Sequence, residues 1–419
     1  MELTPRWLLA LALAANGLAA GPVERPGKVL AGYFEGWSIY RNYHLADLEA
    51  SGGAAKLTHL FYAFADVTPD GQCRVRDAWA DFVTPFLRPV KGLPSIMPPF
   101  GNFAELRKLK RLHPNLKILI SVGGASAANR AAFAAAAAAP QTRARFAASC
   151  IDMFLAGNAA TMAAPDVFDG IDIDWEFPAA GQAQDFTALL AEFRAQLDAL
   201  GKRTGRRYLL TIAAPAGAQN YSNIELAKAA GLLDFINLMT YDYHGTWDNV
   251  TNHAAPLFGS PRDPAQAQRF FIAATVDAYL EAGVPGKKLV LGVPFYGRGW
   301  TGAPNVNHGL FQTAAGPAPP PPGDALGTPG VATYATLARL AASRAAGFTR
   351  RRAPGAVWIY NPATKTFWSF DDPVSVAAKM QYIRTRVRGG LGGGMFWAAK
   401  DDDREATLLK TMAKGLGIR

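Results

Sequence analysis

The sequence predicts an α/β fold, a (β/α)8 TIM barrel with a small α+β insertion between its seventh and eighth strands. Three observations carry this expectation. Eight short apolar runs alternate with helical patterns along the 419 residues. The turn after the first run, Tyr33-Phe34-Glu35-Gly36-Trp37, lacks the Gly-rich phosphate cradle that a doubly wound open sheet would carry there. The interval between the seventh and eighth runs is too long for a single crossover and contains strand and helix patterns of its own.

Taken in order, the apolar runs are residues 28–34, 57–64, 116–124, 168–177, 208–214, 235–241, 288–294 and 394–397. Helical patterns cover 131–155, 183–200, 224–230, 264–282, 374–387 and 404–414. The long interval holds a Pro-rich stretch at 316–323, a helical pattern at 334–346 and a strand pair at 356–360 and 366–370. Residues 28–300 and 374–419 are therefore assigned to the barrel and 301–373 to an insertion on its rim. Such an insertion would wall one side of the C-terminal face and deepen a groove there.

Half of the residues are hydrophobic and 18% are charged, enough for a large buried core. The formal net charge is +10, but the basic residues are scattered, with short groups such as Arg350-Arg351-Arg352. Nucleic acid would need a concentrated basic stripe, so none is expected as a partner. Residues 1–20 carry Arg6, an apolar run from Trp7 to Ala15 and small residues at Leu18-Ala19-Ala20. That is the make-up of a secretory signal peptide, too short to span a bilayer, and no later segment reads as transmembrane. The expectation is a secreted monomer, extracellular or periplasmic, with no membrane partner. Export permits a disulfide between Cys73 and Cys150, although their spacing alone does not pair them. No paired Cys or His ligand spacing is present, so neither a metal nor a cofactor is expected.

The fourth run, Phe168-Asp169-Gly170-Ile171-Asp172-Ile173-Asp174-Trp175-Glu176-Phe177, alternates apolar and acidic residues with the period of a strand. Ile171, Ile173 and Trp175 face one way; Asp172, Asp174 and Glu176 face the other. Three carboxylates on one face repel each other and are costly to bury unless paired or protonated. A solvated edge strand would not carry that apolar face. A calcium loop curls around its ion with Gly at the turn, whereas these acids lie on an extended strand. Held together they cannot all ionise near neutrality, so one keeps a proton and becomes a general acid. Glu176 has the longest reach and stands at the strand's C-terminal end, where barrels do their chemistry.

Asp169-x-x-Asp172-x-Asp174-x-Glu176 resembles the DxxDxDxE signature of the chitinases of glycoside hydrolase family 18. Ser121-x-Gly123-Gly124 is similar to that family's SxGG, Met239-x-Tyr241-Asp242 to its strand-six motif and Tyr296-Gly297-Arg298 to its strand-seven motif. The resemblance covers nearly the whole mature chain and extends to the rim insertion. It implies Glu176 as proton donor, Asp174 as its partner, Asp172 sharing the strand's proton and Tyr241 on the N-acetyl group. Candidates for substrate contact are Tyr33, Phe64, Met239, Asp242, Tyr296, Arg298 and Trp397, the last as the floor of the −1 sugar. Many members carry Trp directly after SxGG; here that position is Ala125, which removes a stacking surface on the leaving-group side.

A retaining glycosidase ordinarily sets an acid and a nucleophilic carboxylate about 5–5.5 Å apart, and substrate assistance is the exception. The implied reaction is that exception: Glu176 protonates the glycosidic oxygen, the substrate's 2-acetamido oxygen attacks, and Asp174 stabilises the oxazolinium. The substrate expected is chitin or chitooligosaccharide. The same acids would serve an endo-β-N-acetylglucosaminidase acting on peptidoglycan or N-glycans. A catalytically silent chitin-binding lectin on this fold would lack the terminal acid, which Glu176 supplies. His44, His59, His113, His253 and His308 read as structural or surface residues, while His244 lies beside the site as a candidate for tuning it.

Overall fold

The computed structural model describes residues 27–85, 90, 100–156 and 167–418. The expected leader, residues 1–20, lies outside them. The strands are β1 (Val29–Glu35), β2 (His59–Val67), β3 (Cys73–Val75), β4 (Lys117–Gly123), β5 (Gly170–Asp174), β6 (Leu209–Ala214), β7 (Phe235–Leu238) and β8 (Leu289–Pro294). They continue with β9 (Tyr296–Thr301), β10 (Gly316–Pro317), β11 (Val331–Thr333), β12 (Thr349–Ala353), β13 (Ala356–Asn361), β14 (Thr366–Phe370) and β15 (Gly393–Trp397).

Eight strands form a parallel sheet in the order β1-β15-β8-β7-β6-β5-β4-β2, and β1 pairs with β2 to close it. The barrel is the predicted (β/α)8 architecture. Its outer layer includes α1 (Leu45–Ala50), α2 (Gly101–Leu112), α3 (Ala127–Ala137), α4 (Pro140–Phe154) and α5 (Ala183–Thr204). It continues with α6 (Ala218–Tyr221), α7 (Leu226–Leu232), α8 (Ile272–Glu281), then α9 (Tyr334–Ala342) beyond the barrel, α10 (Pro373–Thr385) and α11 (Thr407–Leu416). The alternation in β5 is realised as the period-2 argument requires. Ile171, Ile173 and Trp175 join the large cluster between strands and helices, while Asp172 and Asp174 turn into the barrel.

The helical pattern at 131–155 is two helices rather than one. Ala139 sits before Pro140 and is extended (φ −136°, ψ 153°), because the proline ring disfavours helical backbone in the residue before it. Pro140 then starts α4 at a position that needs no N–H partner. The pattern at 264–282 yields a helix only from Ile272, and α2 lies outside every predicted pattern.

A second sheet, β10-β9-β14-β13-β12 with β11 also on β9, is antiparallel and stands on the rim. Its first strand, β9, leaves the barrel strand β8 after the single residue Phe295. The sheet therefore takes in Tyr296, Gly297, Arg298, Gly299 and Trp300, which the sequence reading left with the barrel. Trp300, Trp358, Tyr360 and Phe367 form its core. Inside the barrel, Ala31, Tyr33, Phe61, Phe64, Leu119, Phe235, Val290 and Met395 fill the axis, with Trp37, Tyr241 and Trp397 packed on them. Cys73 and Cys150 are disulfide-bonded (Cα–Cα 5.0 Å), so the hairpin strand β3 is tied to α4.

Candidate active site

The register of three neighbouring strands sets the lower tier of the site. Ser121 of β4, Asp172 of β5 and Thr211 of β6 are direct partners. Asp172 accepts hydrogen bonds from Ser121 Oγ (2.8 Å), Thr211 Oγ1 (2.6 Å), Tyr33 Oη (2.8 Å) and Asn237 Nδ2 (3.4 Å). It is fully buried, and burial raises its carboxyl above the ordinary value while those donors act against the rise. Asp172 does not line the cavity above; it is the plinth beneath it. Asp169, first of the four acids, accepts from the Ile118 amide (2.9 Å) and from Lys110 (2.7 Å) and Arg206 (3.3 Å). It stands at the other end of the strand, away from the chemistry.

Asp174 and Glu176 line a cavity of about 240 Å³ at the C-terminal end of the barrel, with Tyr33, Trp37, Phe64, Ala125, Ala213, Met239, Tyr241, Asp242, Tyr296 and Trp397. Ten of the eleven predicted site residues thus meet at this cavity or directly beneath it. Arg298 reaches it through Asp242, to which it donates from Nε (2.8 Å) and Nη2 (2.6 Å). Asp174 is buried; burial first, then the charges of Glu176 and Asp172, push its carboxyl far above the usual range. Its Oδ1 has no hydrogen-bond partner among the described residues. Glu176 is raised to about 7, by burial and then by the carboxylate of Asp242, while Arg130 opposes the rise. Arg130 Nε also donates to the Glu176 carbonyl (2.8 Å).

Gly123 explains the SxGG stretch. It has φ +124°, and a Cβ there would come within 2.1 Å of the Asp174 carbonyl oxygen. The next amide, Gly124 N–H, donates to that same oxygen at 2.9 Å. Only glycine lets β4 press this closely on the acid's backbone. One wall of the cavity is a row of stacked rings, Trp37 on Phe64 (centroids 5.8 Å) and Phe64 on Trp397 (5.6 Å). The turn that follows Trp397 is pinned by Lys400, whose Nζ lies 2.6 Å from Glu35 and 2.9 Å from Asp401. Asp402 and Asp403 are not part of the site. They accept from the first amides of α11, at Leu409 (3.0 Å) and Thr407 (3.0 Å).

A second recess, about 320 Å³, shares Glu176, Met239, Tyr241 and Asp242 and continues past Trp247 and Phe270. Together the two recesses make a groove with Glu176 at its middle. Sequence reasoning missed Trp37, Trp247 and the donors Thr211 and Asn237. Trp37 follows the first strand directly, and Trp247 lies on the Tyr241 loop, so both had a positional signal. Thr211 and Asn237 had none, because their role depends on register. His244 Nδ1 donates to Asp248 Oδ2 (2.9 Å) and braces this loop. No cluster of metal-ligating side chains occurs among the described residues.

Comparison with known proteins gives a consistent result. The family model described as glycosyl hydrolases family 18 matches residues 29–402. Chitinase A1 of Niallia circulans is 37% identical over 428 residues, covering 90% of this chain and 57% of that one. The chain thus spans little more than half of that relative's length. Chitinase 1 of Aphanocladium album is 35% identical over 415 residues, covering 97% of this chain and 90% of that one. Among solved structures, the catalytic domain of psychrophilic chitinase B from Arthrobacter TAD20 superposes with a TM-score of 0.83 at 32% identity. That match covers 93% of this chain and 95% of that one.

Proposed function

The chain belongs to glycoside hydrolase family 18 and is a glycosidase, and we propose that it hydrolyses the β-1,4 linkages of chitin and chitooligosaccharides with retention, Glu176 serving as acid and then base. The observation that carries this reading is the pairing of Asp174 and Glu176 in one cavity under a row of aromatic rings. Pyranose rings stack their C–H faces on such rings while neighbouring polar groups take the hydroxyls.

Glu176, held near 7, keeps a proton to give to the glycosidic oxygen at neutral pH and can accept one from water afterwards. Asp174, the last residue of β5 and two residues before Glu176, stands on the same side of the bond, so it does not offer the back-side nucleophile. The substrate's acetamido oxygen takes that part. The unpaired Oδ1 of Asp174 is suited to the acetamido N–H, and its charge to the oxazolinium that forms. Tyr241, on the cavity wall, would hold the acetamido oxygen in line. Asp172 lies below and acts on Asp174 by like-charge repulsion, which favours a proton on the upper pair. The relatives' names favour chitin over the glycan-type substrates that the same acids would otherwise fit.

The rim sheet reaches the groove through β9, by Tyr296 on the cavity wall and by Arg298 over Trp247 and on Asp242, and a groove bordered in this way suits a long polymer. The leader pattern in residues 1–20 supports secretion. The test is product release from chitopentaose with the anomer ratio read at once by NMR, for wild type and Glu176→Gln. Initial β-anomer from wild type and none from the variant is the expected result. Substantial turnover by Glu176→Gln, or initial α-anomer from wild type, would overturn the assignment.

A further inference from the structure

Arg76 lies outside every motif in the sequence, yet it touches three sides of the site. It follows β3 directly, and β3 is fixed twice, by pairing with β2 (Ala65 with Val75, Asp66 with Arg74) and by the disulfide from Cys73 to Cys150. Its guanidinium is held by Asp66 (Nε to Oδ1 2.8 Å) and donates from Nη2 to the Gly123 carbonyl (2.8 Å). The same group lies over the ring of Phe64 (4.8 Å to the centroid) and near that of Trp37 (5.8 Å). Those two rings stand between the catalytic cavity and a recess of about 170 Å³ that Arg76 lines. Arg76 is thus behind the aromatic wall, gripping the residue whose neighbour binds the Asp174 backbone.

We propose that Arg76 is a positioning residue for the hydrolytic reaction, which fixes the Phe64–Trp37 wall and supplies a standing positive charge behind Asp174. The inference rests on the role given to Asp174 above. The groups facing Asp174 are Asp172 from its own strand, Glu176 from the segment just past the end of β5, Tyr33 from β1, Tyr241 from the loop after β7, and Arg76. Burial and the two carboxylates push Asp174 toward its protonated form, and Arg76 alone among these charges favours the carboxylate. Arg76 is itself paired with Asp66 (Nη2 to Oδ1 2.6 Å), so Asp66 holds the guanidinium in place and offsets part of its charge. Loss of the Arg76 charge therefore raises the pH at which Asp174 ionises.

Two variants separate charge from shape. Arg76→Met removes both; Arg76→Lys keeps the charge but loses the planar fork that grips Asp66, Gly123 and the rings. The direct readout is the carboxyl-carbon NMR titration at Asp174, assigned with Asp174→Asn, on full-length proteins whose circular dichroism matches wild type. Arg76→Met is expected to raise the midpoint by about one pH unit, and with it the acid limb of kcat/KM on chitopentaose. Arg76→Lys is expected to restore the midpoint and leave KM raised, since the wall stays loose. Equal midpoints in wild type and Arg76→Met would overturn the charge role. A wild-type KM in Arg76→Lys would overturn the wall role. If Arg76→Met does not fold, a raised midpoint in Arg76→Lys overturns the charge role by itself. Wild type that fails to cleave chitopentaose would defeat the hydrolase reading, while the Asp174 midpoints would still decide the place of Arg76.

Discussion

Arg298 of the rim sheet forks onto both carboxylate oxygens of Asp242, a barrel-loop residue with φ +56°. The pair is only partly exposed and fixes a negative charge beside Glu176. After burial, that charge is what holds Glu176 near 7. Glu176 must be protonated to act as acid, so kcat/KM should fall as pH rises through its value. Removing the like charge with Asp242→Asn lowers that value. The basic limb of the pH–kcat/KM profile should then move to lower pH. A limb that stays in place or moves to higher pH would refute the coupling.

Asp174→Asn should keep the cavity's shape and remove the charge that meets the oxazolinium. A fall in kcat of about 10²–10³ is expected, with KM changed far less. Steady-state kinetics on chitopentaose check the split. An equal rise in KM would mean that Asp174 serves mainly to bind.

Ala125 lines the cavity just beyond Gly123-Gly124. Ala125→Trp would add an indole on the leaving-group side of Glu176, and an aromatic stack contributes about 0.5–1.5 kcal/mol. Chitooligosaccharide should bind Glu176→Gln/Ala125→Trp several-fold more tightly than Glu176→Gln, as read by calorimetry. In the active enzyme the same change should increase products longer than the substrate, as a held acceptor competes with water. Unchanged affinity would show that no sugar reaches this position.

The bond between Cys73 and Cys150 closes a loop 77 residues apart in sequence. Replacing both with Ser should lower stability by ~2–4 kcal/mol, chiefly because the unfolded chain gains freedom. Urea unfolding of the variant, and of wild type with and without reductant, measures this. A midpoint insensitive to reductant would mean that the bond adds nothing to stability.

The barrel was legible because its evidence is local. Each strand is a short apolar run, and the acidic strand announces its two faces by alternation. The acids were legible for the same reason: three of them fall two apart in one alternating run, although β5 itself ends at Asp174. The supports of the site were not, since they are relations between strands. Nothing near Thr211 or Asn237 in sequence marks them as donors to Asp172, and Arg76 matters only because a hairpin carries it back to Gly123. The break between α3 and α4 did have a local signal, the extended residue before Pro140, which a run of alanines obscured. The disulfide is a third case, for spacing carries no information about contact between a hairpin and a helix.

Phe295 alone separates the barrel strand β8 from β9, and this limits how the enzyme can be recombined. The rim sheet is not a cassette on flexible arms. A cut at residue 301 would leave β9 behind with its partners β10, β11 and β14 removed, its edges open and Trp300 stripped of its neighbours. It would also leave Arg298 on a strand with nothing to hold it toward Asp242. Exchange of the rim sheet between related enzymes therefore has to begin at Phe295, inside the catalytic frame. The Tyr296 face of the cavity and the acidity of Glu176 would then be inherited together.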